Sequence, residues 1–103
     1  MVRVLIYHKA KDPEKLMAVI RDVRNEAMKR RGYITGETLV STDDPADVIV
    51  ITTWQTLKDW EAWDTSDQRQ ELNKKINLLL EEPYVVRTYQ HYLVREDRVW
   101  STM

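Results

Sequence analysis

The chain contains no cysteine, which removes disulfides, thiolate nucleophiles and thiolate metal sites from consideration. It has no surplus of either charge: 16 Lys and Arg stand against 17 Asp and Glu, a formal charge of -1. Binding a polyanion needs a positive surplus, so this balance argues against nucleic acid as a partner. Long apolar runs are also missing. The stretch from Met1 to Lys9 lacks the sustained hydrophobic core of a secretion signal, and no segment reaches the length that crosses a bilayer. The expectation is a soluble, cytoplasmic protein without a membrane partner, and a thiol-free chain suits a reducing compartment. At 103 residues there is room for one domain, near the size at which burial against a partner subunit adds materially to the core. No repeat, low-complexity block or linker interrupts it.

What is present is an orderly change of hydrophobic period. Val2 to Lys9, rich in β-branched and aliphatic residues, reads as a strand. Asp12-Pro13 opens a helix, with Asp as N-cap and Pro at the first helical position. Leu16, Val19, Ile20, Val23 and Ala27 line one face of it, and Gly32 closes it. Ile34 to Ser41 is a second strand, Thr42-Asp43-Asp44-Pro45 a turn, and Asp47 to Trp54 a third strand. Thr56 with Asp59 forms a capping box for a short helix through Trp63. Thr65 with Gln68 opens a longer helix whose buried stripe is Leu72, Ile76, Leu79 and Leu80. Pro83 ends it, and Tyr84 to Val94 is the last strand.

The order βαββαβ is the ferredoxin-like α+β arrangement, an antiparallel sheet with the helices on one face. It places one domain over residues 1–94 and a polar C-terminal tail carrying Trp100 over 95–103. Such a sheet normally leaves its second face wet. Here Val48-Ile49-Val50-Ile51 is apolar on both faces, and in the first strand Val4 and Ile6 point one way while Leu5 and Tyr7 point the other. The simplest cover for the second face is the same face of another copy, giving a homodimer that closes an α/β barrel.

Three of the four tryptophans, Trp54, Trp60 and Trp63, cluster where the third strand runs into the short helix. Large flat side chains there either wall a water-excluding pocket or fill the gap between helix and sheet. The segments Val50-Ile51-Thr52-Thr53-Trp54, Trp60-Glu61-Ala62-Trp63 and Ser66, with Arg31-Gly32-Tyr33-Ile34 and Glu37-Thr38-Leu39, resemble the antibiotic biosynthesis monooxygenase family of dimeric α/β-barrel proteins. The resemblance runs from Val2 to about Tyr92. It implies the fold and the superfamily, whose members include cofactor-free oxygenases of anthrones and quinols, haem-degrading oxygenases, isomerases and decarboxylases.

The residues that the resemblance would carry over are matched in part. Trp63 stands where the haem-degrading members place a Trp, but Asn73 occupies their axial His position, and Ile6 and Tyr7 stand where their Asn would be. That departure argues against haem. Trp54 stands where the anthrone oxygenases place a strand-ending Trp. Val50 replaces their Asn, and Asn73 lies near their Arg.

A cofactor-free oxygenase needs a dry pocket, a base and stabilisation of the developing anion. Trp54, Trp63, Asn73 and Tyr7 are the candidate substrate contacts, with Tyr33 and Tyr89 as further polar groups and His8 or His91 as base if either faces the pocket. The two histidines lie toward opposite ends of neighbouring strands. At about 3.3 Å per residue they are on the order of 20 Å apart, so no metal is expected. The basic run Lys29-Arg30-Arg31 reads as charge complementing the end of the first helix, and Glu26 with Arg30 as surface support.

The expected function is that of a monooxygenase, needing no cofactor, that acts on a small aromatic or quinol-like molecule. The alternative is a non-catalytic dimeric module that binds a small hydrophobic ligand.

Overall fold

The structure, a computed structural model, describes residues 1–92; the expected end of the last strand at Val94 and the tail with Trp100 lie outside them. In chain order the elements are β1 (Val2–Lys9), α1 (Pro13–Ala27), β2 (Tyr33–Val40), β3 (Asp47–Trp54), α2 (Leu57–Asp64), α3 (Asp67–Leu78) and β4 (Val85–Gln90). All strands pair antiparallel, in the order β2-β3-β1-β4. This is the ferredoxin-like α+β sheet expected from the sequence, and α1, α2 and α3 cover one of its faces.

Local chemistry sets the element ends. Asp12 caps α1 by accepting from the Lys15 amide at 3.2 Å, with Pro13 at the first helical position. Thr56 caps α2 by accepting from Asp59 N at 3.1 Å. At the next junction the cap is Ser66 rather than the expected Thr65. Its hydroxyl accepts from Arg69 N at 3.2 Å and donates to Trp63 O at 2.7 Å, so one side chain ends α2 and starts α3. Thr65 instead turns back to the Glu61 carbonyl at 2.8 Å.

Helix α1 stops a turn earlier than Gly32. Beyond Ala27 the Lys29 and Arg30 amides reach back three residues, to Glu26 O and Ala27 O, tightening the chain into turns. Gly32 takes the left-handed conformation, φ 86°, and a Cβ there would run into the Asp59 side chain. Lys29 to Arg31 therefore lie past the helix. The basic residue of its last turn is Arg24, and Glu26 pairs with Lys29 at 3.3 Å rather than with Arg30.

The core lies between sheet and helices. Val2, Val4, Ile6, Val48, Val50 and Trp54 meet Leu16, Ile20, Val23, Ala27, Trp60, Trp63 and Ile76, all buried. On α3 the buried residues are Arg69, Asn73 and Ile76 rather than a purely aliphatic stripe. Leu80 is buried past the end of that helix, where it bridges to Ala10. The second sheet face carries Leu5, Tyr7, Ile49 and Ile51, half-buried, with Leu39, Val85 and Tyr89 exposed. Both faces are apolar, as the irregular alternation implied.

Candidate functional site

Between sheet and helices is a cavity of about 30 Å³. Its lining includes Ile6 and His8 from β1, Tyr33 from β2, and Val50, Thr52 and Trp54 from β3, along with Arg24 from α1, Trp60 and Trp63 from α2 and Arg69 from α3. All lining residues are buried except Arg24 and Tyr33, which are half-buried and form its rim. The strand positions follow from alternation: Ile6 and His8, and likewise Val50, Thr52 and Trp54, share the helix-covered face.

The tryptophans both wall and fill. Trp54 is wholly buried, and its indole N–H donates to Thr52 Oγ1 at 3.0 Å. Its ring meets Trp60 at 5.9 Å and Tyr33 at 5.4 Å, both edge-on. Trp60 is 4% exposed and lines the cavity with the other two. What space remains suits about two water molecules.

His8 is 3% exposed. Its Nδ1 donates to the Val48 carbonyl at 3.1 Å, a bond that fixes the neutral tautomer with Nε2 as the proton acceptor. Burial lowers its pKa below the ordinary histidine value, and the positive charge of Arg69 lowers it further against the opposing backbone bonds. The imidazole is neutral at pH 7.

Arg69 is 2% exposed and lies among aromatic rings, its guanidinium carbon 5.8 Å from Trp60, 6.0 Å from Trp63 and 5.9 Å from Tyr84. Burial lowers its pKa, with Tyr84 and Asp64 opposing, but an arginine starts so high that it stays cationic. Arg24 donates to Thr38 Oγ1. Burial raises the Tyr33 pKa, so its hydroxyl remains a donor at neutral pH.

Of the residues singled out from the sequence, Trp54, Trp63, Tyr33 and His8 come together here. Asn73 is buried on α3 one turn beyond Arg69, with Oδ1 lacking a hydrogen-bond partner among the described residues, but it is outside the lining. Tyr7 is not brought to the cavity. It falls between Ile6 and His8 on β1 and therefore points to the opposite sheet face. Tyr89 is exposed, and His91 lies exposed beyond β4. Sequence reasoning missed Arg69 and Arg24. The available signal was spacing, since Arg69, Asn73 and Ile76 share one face of α3, and Arg24 lies four residues after the buried Ile20 and three before the buried Ala27. Arg30, read as surface charge, stacks over Trp63 at 4.9 Å and donates to Gln68 Oε1 at 2.9 Å.

Among the described residues no cluster of three or more His, Cys, Asp or Glu is placed to hold a metal, and no helix is long and apolar enough to cross a membrane.

Several solved structures share this fold. A putative antibiotic biosynthesis monooxygenase from Nitrosomonas europaea superposes with a TM-score of 0.80 at 19% identity, over 90% of this chain and 100% of that one. SnoaB, a cofactor-independent oxygenase from Streptomyces nogalater, gives 0.82 at 9% identity, over 92% and 96%. A conserved protein from Methanosarcina mazei Go1 gives 0.80 at 18% identity, over 88% and 92%. No curated protein sequence matches the chain. The family model for antibiotic biosynthesis monooxygenases matches residues 1–75, most of the chain and every residue that lines the cavity except Ile76, and the chain belongs to that family.

Proposed function

We propose that the protein is a homodimeric, cofactor-independent monooxygenase that oxidises a small aromatic or quinol-like molecule, in a cytoplasmic setting, with residues 1–94 as its functional domain. Family membership supports the reaction class. The observation that carries the reading is His8: a buried, neutral imidazole, anchored through Nδ1 to Val48 O, on the wall of a cavity that three tryptophans enclose.

The chemistry follows from these parts. Nε2 of His8 accepts a proton from the phenol, and the positive field of Arg69 and Arg24 favours the resulting anion. The electron-rich anion reduces oxygen itself. A carbon–oxygen bond forms, and the peroxide breaks so that one oxygen stays on the ring and the other leaves as water. For a hydroquinone, the substrate plus O2 then gives a hydroxyquinone plus water. Trp54 and Trp63 supply the dry walls that protect the intermediate. Tyr7 belongs to the face that the partner subunit covers, and Asn73 supports the cavity from behind Arg69.

About 30 Å³ does not hold an aromatic ring. Entry therefore requires the half-buried rim residues Tyr33 and Arg24 to swing aside. The second reading, a dimeric module that binds a small hydrophobic ligand without turnover, needs the same opening.

Oxygen uptake separates the two. A panel of hydroquinones and anthrones under an oxygen electrode should show consumption above background that falls at least about a hundredfold in His8→Gln, the usual scale for losing a general base. Ligand-dependent tryptophan quenching with no consumption from any compound would reject the oxygenase.

A further inference from the structure

We propose that the cavity receives the carboxylate head of a small organic acid, held by the guanidinium groups of Arg69 and Arg24. This rests on the reading of the cavity as the substrate site and adds the class of substrate. Two donors in the cavity wall have no acceptor among the described residues. Nε of Arg69 and Nε of Arg24 are both buried, and neither has a hydrogen-bond partner among the described residues. Both residues line the same cavity, and among the described residues no Asp or Glu lines it.

The local partners do not account for this charge. Asp64 Oδ1 lies 3.8 Å from Arg69 Nε, close enough to attract it but beyond hydrogen-bond reach, and the Asp64 side chain is itself 37% exposed. Trp60 and Trp63 attract the cation through their faces but offer the in-plane N–H no lone pair, and the Tyr84 hydroxyl, which also supports the charge, leaves Nε without an acceptor. Arg24 has Thr38, a neutral acceptor that serves Nη2. An arginine cannot shed its charge at neutral pH, and a buried donor left unmade costs roughly 1–3 kcal/mol, more when charged. With Asp64 set against one guanidinium, one positive charge stays unbalanced. The complement is a monoanion.

Shape selects which one. A guanidinium presents its donors in a plane, and a carboxylate returns two oxygens in a plane. A cavity of about 30 Å³ takes such a head group, whereas a tetrahedral phosphate or an aromatic ring exceeds it. The remainder of the acid then leaves past the rim at Arg24 and Tyr33.

The test uses the full chain and intrinsic tryptophan fluorescence, with calorimetry as a second readout. Benzoate and 2,5-dihydroxybenzoate should bind at least about tenfold more tightly than 1,4-dihydroxybenzene, a margin of about 1.4 kcal/mol. The preference should vanish in Arg69→Met and shrink in Arg24→Gln. The Arg24 substitution lies on the half-buried rim, and it decides the matter if the Met variant lacks the native circular dichroism. Equal affinity for acid and neutral phenol, a preference unchanged in both variants, or competition by inorganic phosphate as strong as that by benzoate would each overturn the proposal. Oxygen uptake is read in parallel. Acid-selective binding without uptake sustains the carboxylate site and rejects the oxygenase, whereas uptake without acid selectivity does the reverse.

Discussion

His8 and Val48 face each other across β1 and β3, and the imidazole of one donates through Nδ1 to the carbonyl of the other at 3.1 Å. A side chain thereby borrows a backbone acceptor from its own register partner. The bond fixes which nitrogen carries the proton, and burial then keeps the ring neutral.

The pH dependence follows with a definite sign. The folded-state pKa of His8 lies below the ordinary histidine value of 6.5, so the unfolded chain takes up a proton first as pH falls. Stability contributed by the neutral ring is intact above 6.5 and declines as pH drops from there toward the lowered value. Chemical denaturation between pH 7.5 and 5 should show this slope, and His8→Gln should flatten it. If His8 is the base, the acid limb of kcat/KM has its midpoint below 6.5. A midpoint at or above 6.5 would exclude His8 from that role.

The uncovered sheet face predicts an assembly. Leu5 and Ile51 pair at its centre, between Arg87 on one edge strand and Glu37 on the other. Light scattering at micromolar concentration should give twice the chain mass for the native protein and a single mass for Ile51→Arg, with far-ultraviolet dichroism unchanged. A monomeric native protein would contradict the proposed dimer.

Trp54→Ala should destabilise the fold by roughly 3–5 kcal/mol, the scale for emptying a fully buried aromatic site. The wholly buried ring contacts Trp60 and Tyr33, and its loss also strips Thr52 Oγ1 of a donor. Urea melts at fixed pH measure this. A change under about 1 kcal/mol would mean that the cluster is loosely packed and the cavity larger in solution.

Gly32→Ala should cost about 1–2 kcal/mol for the left-handed backbone alone. The added methyl also collides with Asp59 near the start of α2, which raises the loss. Thermal denaturation would register a fall of several degrees. A neutral outcome would require the turn between α1 and β2 to rearrange.

Much of the fold was legible because hydrophobic period and capping chemistry are local. Asp12 and Thr56 cap as read, and β1 and β3 keep their expected limits. The end of α1 was misjudged because a glycine marks a left-handed residue, and here that residue comes after a further turn rather than directly at the helix end. The site was half legible. Trp54, Trp63 and Tyr33 could be named from where they stand, and His8 conditionally. Arg69 was harder to name, since its spacing with Asn73 and Ile76 is the only local sign and a charged residue on a charged helix is ordinarily solvated; the packing of Trp60 and Trp63 around it decides otherwise. Tyr7 shows the converse error: its type suits a pocket, but a strand's alternation decides its face.

The sheet order has a consequence for how the chain assembles. Strands β2 and β3 meet across a short turn, Val40 against Val48, and can zip as soon as both exist. Strand β1 lies between β3 and β4, so Val2 must find both Trp54 and Gln90. Until the last strand has been synthesised, the earliest one has an open edge. The central strand is therefore completed late. Closing these distant pairings sets a slow step, and the interval before it is when unpaired β1 is most prone to aggregate.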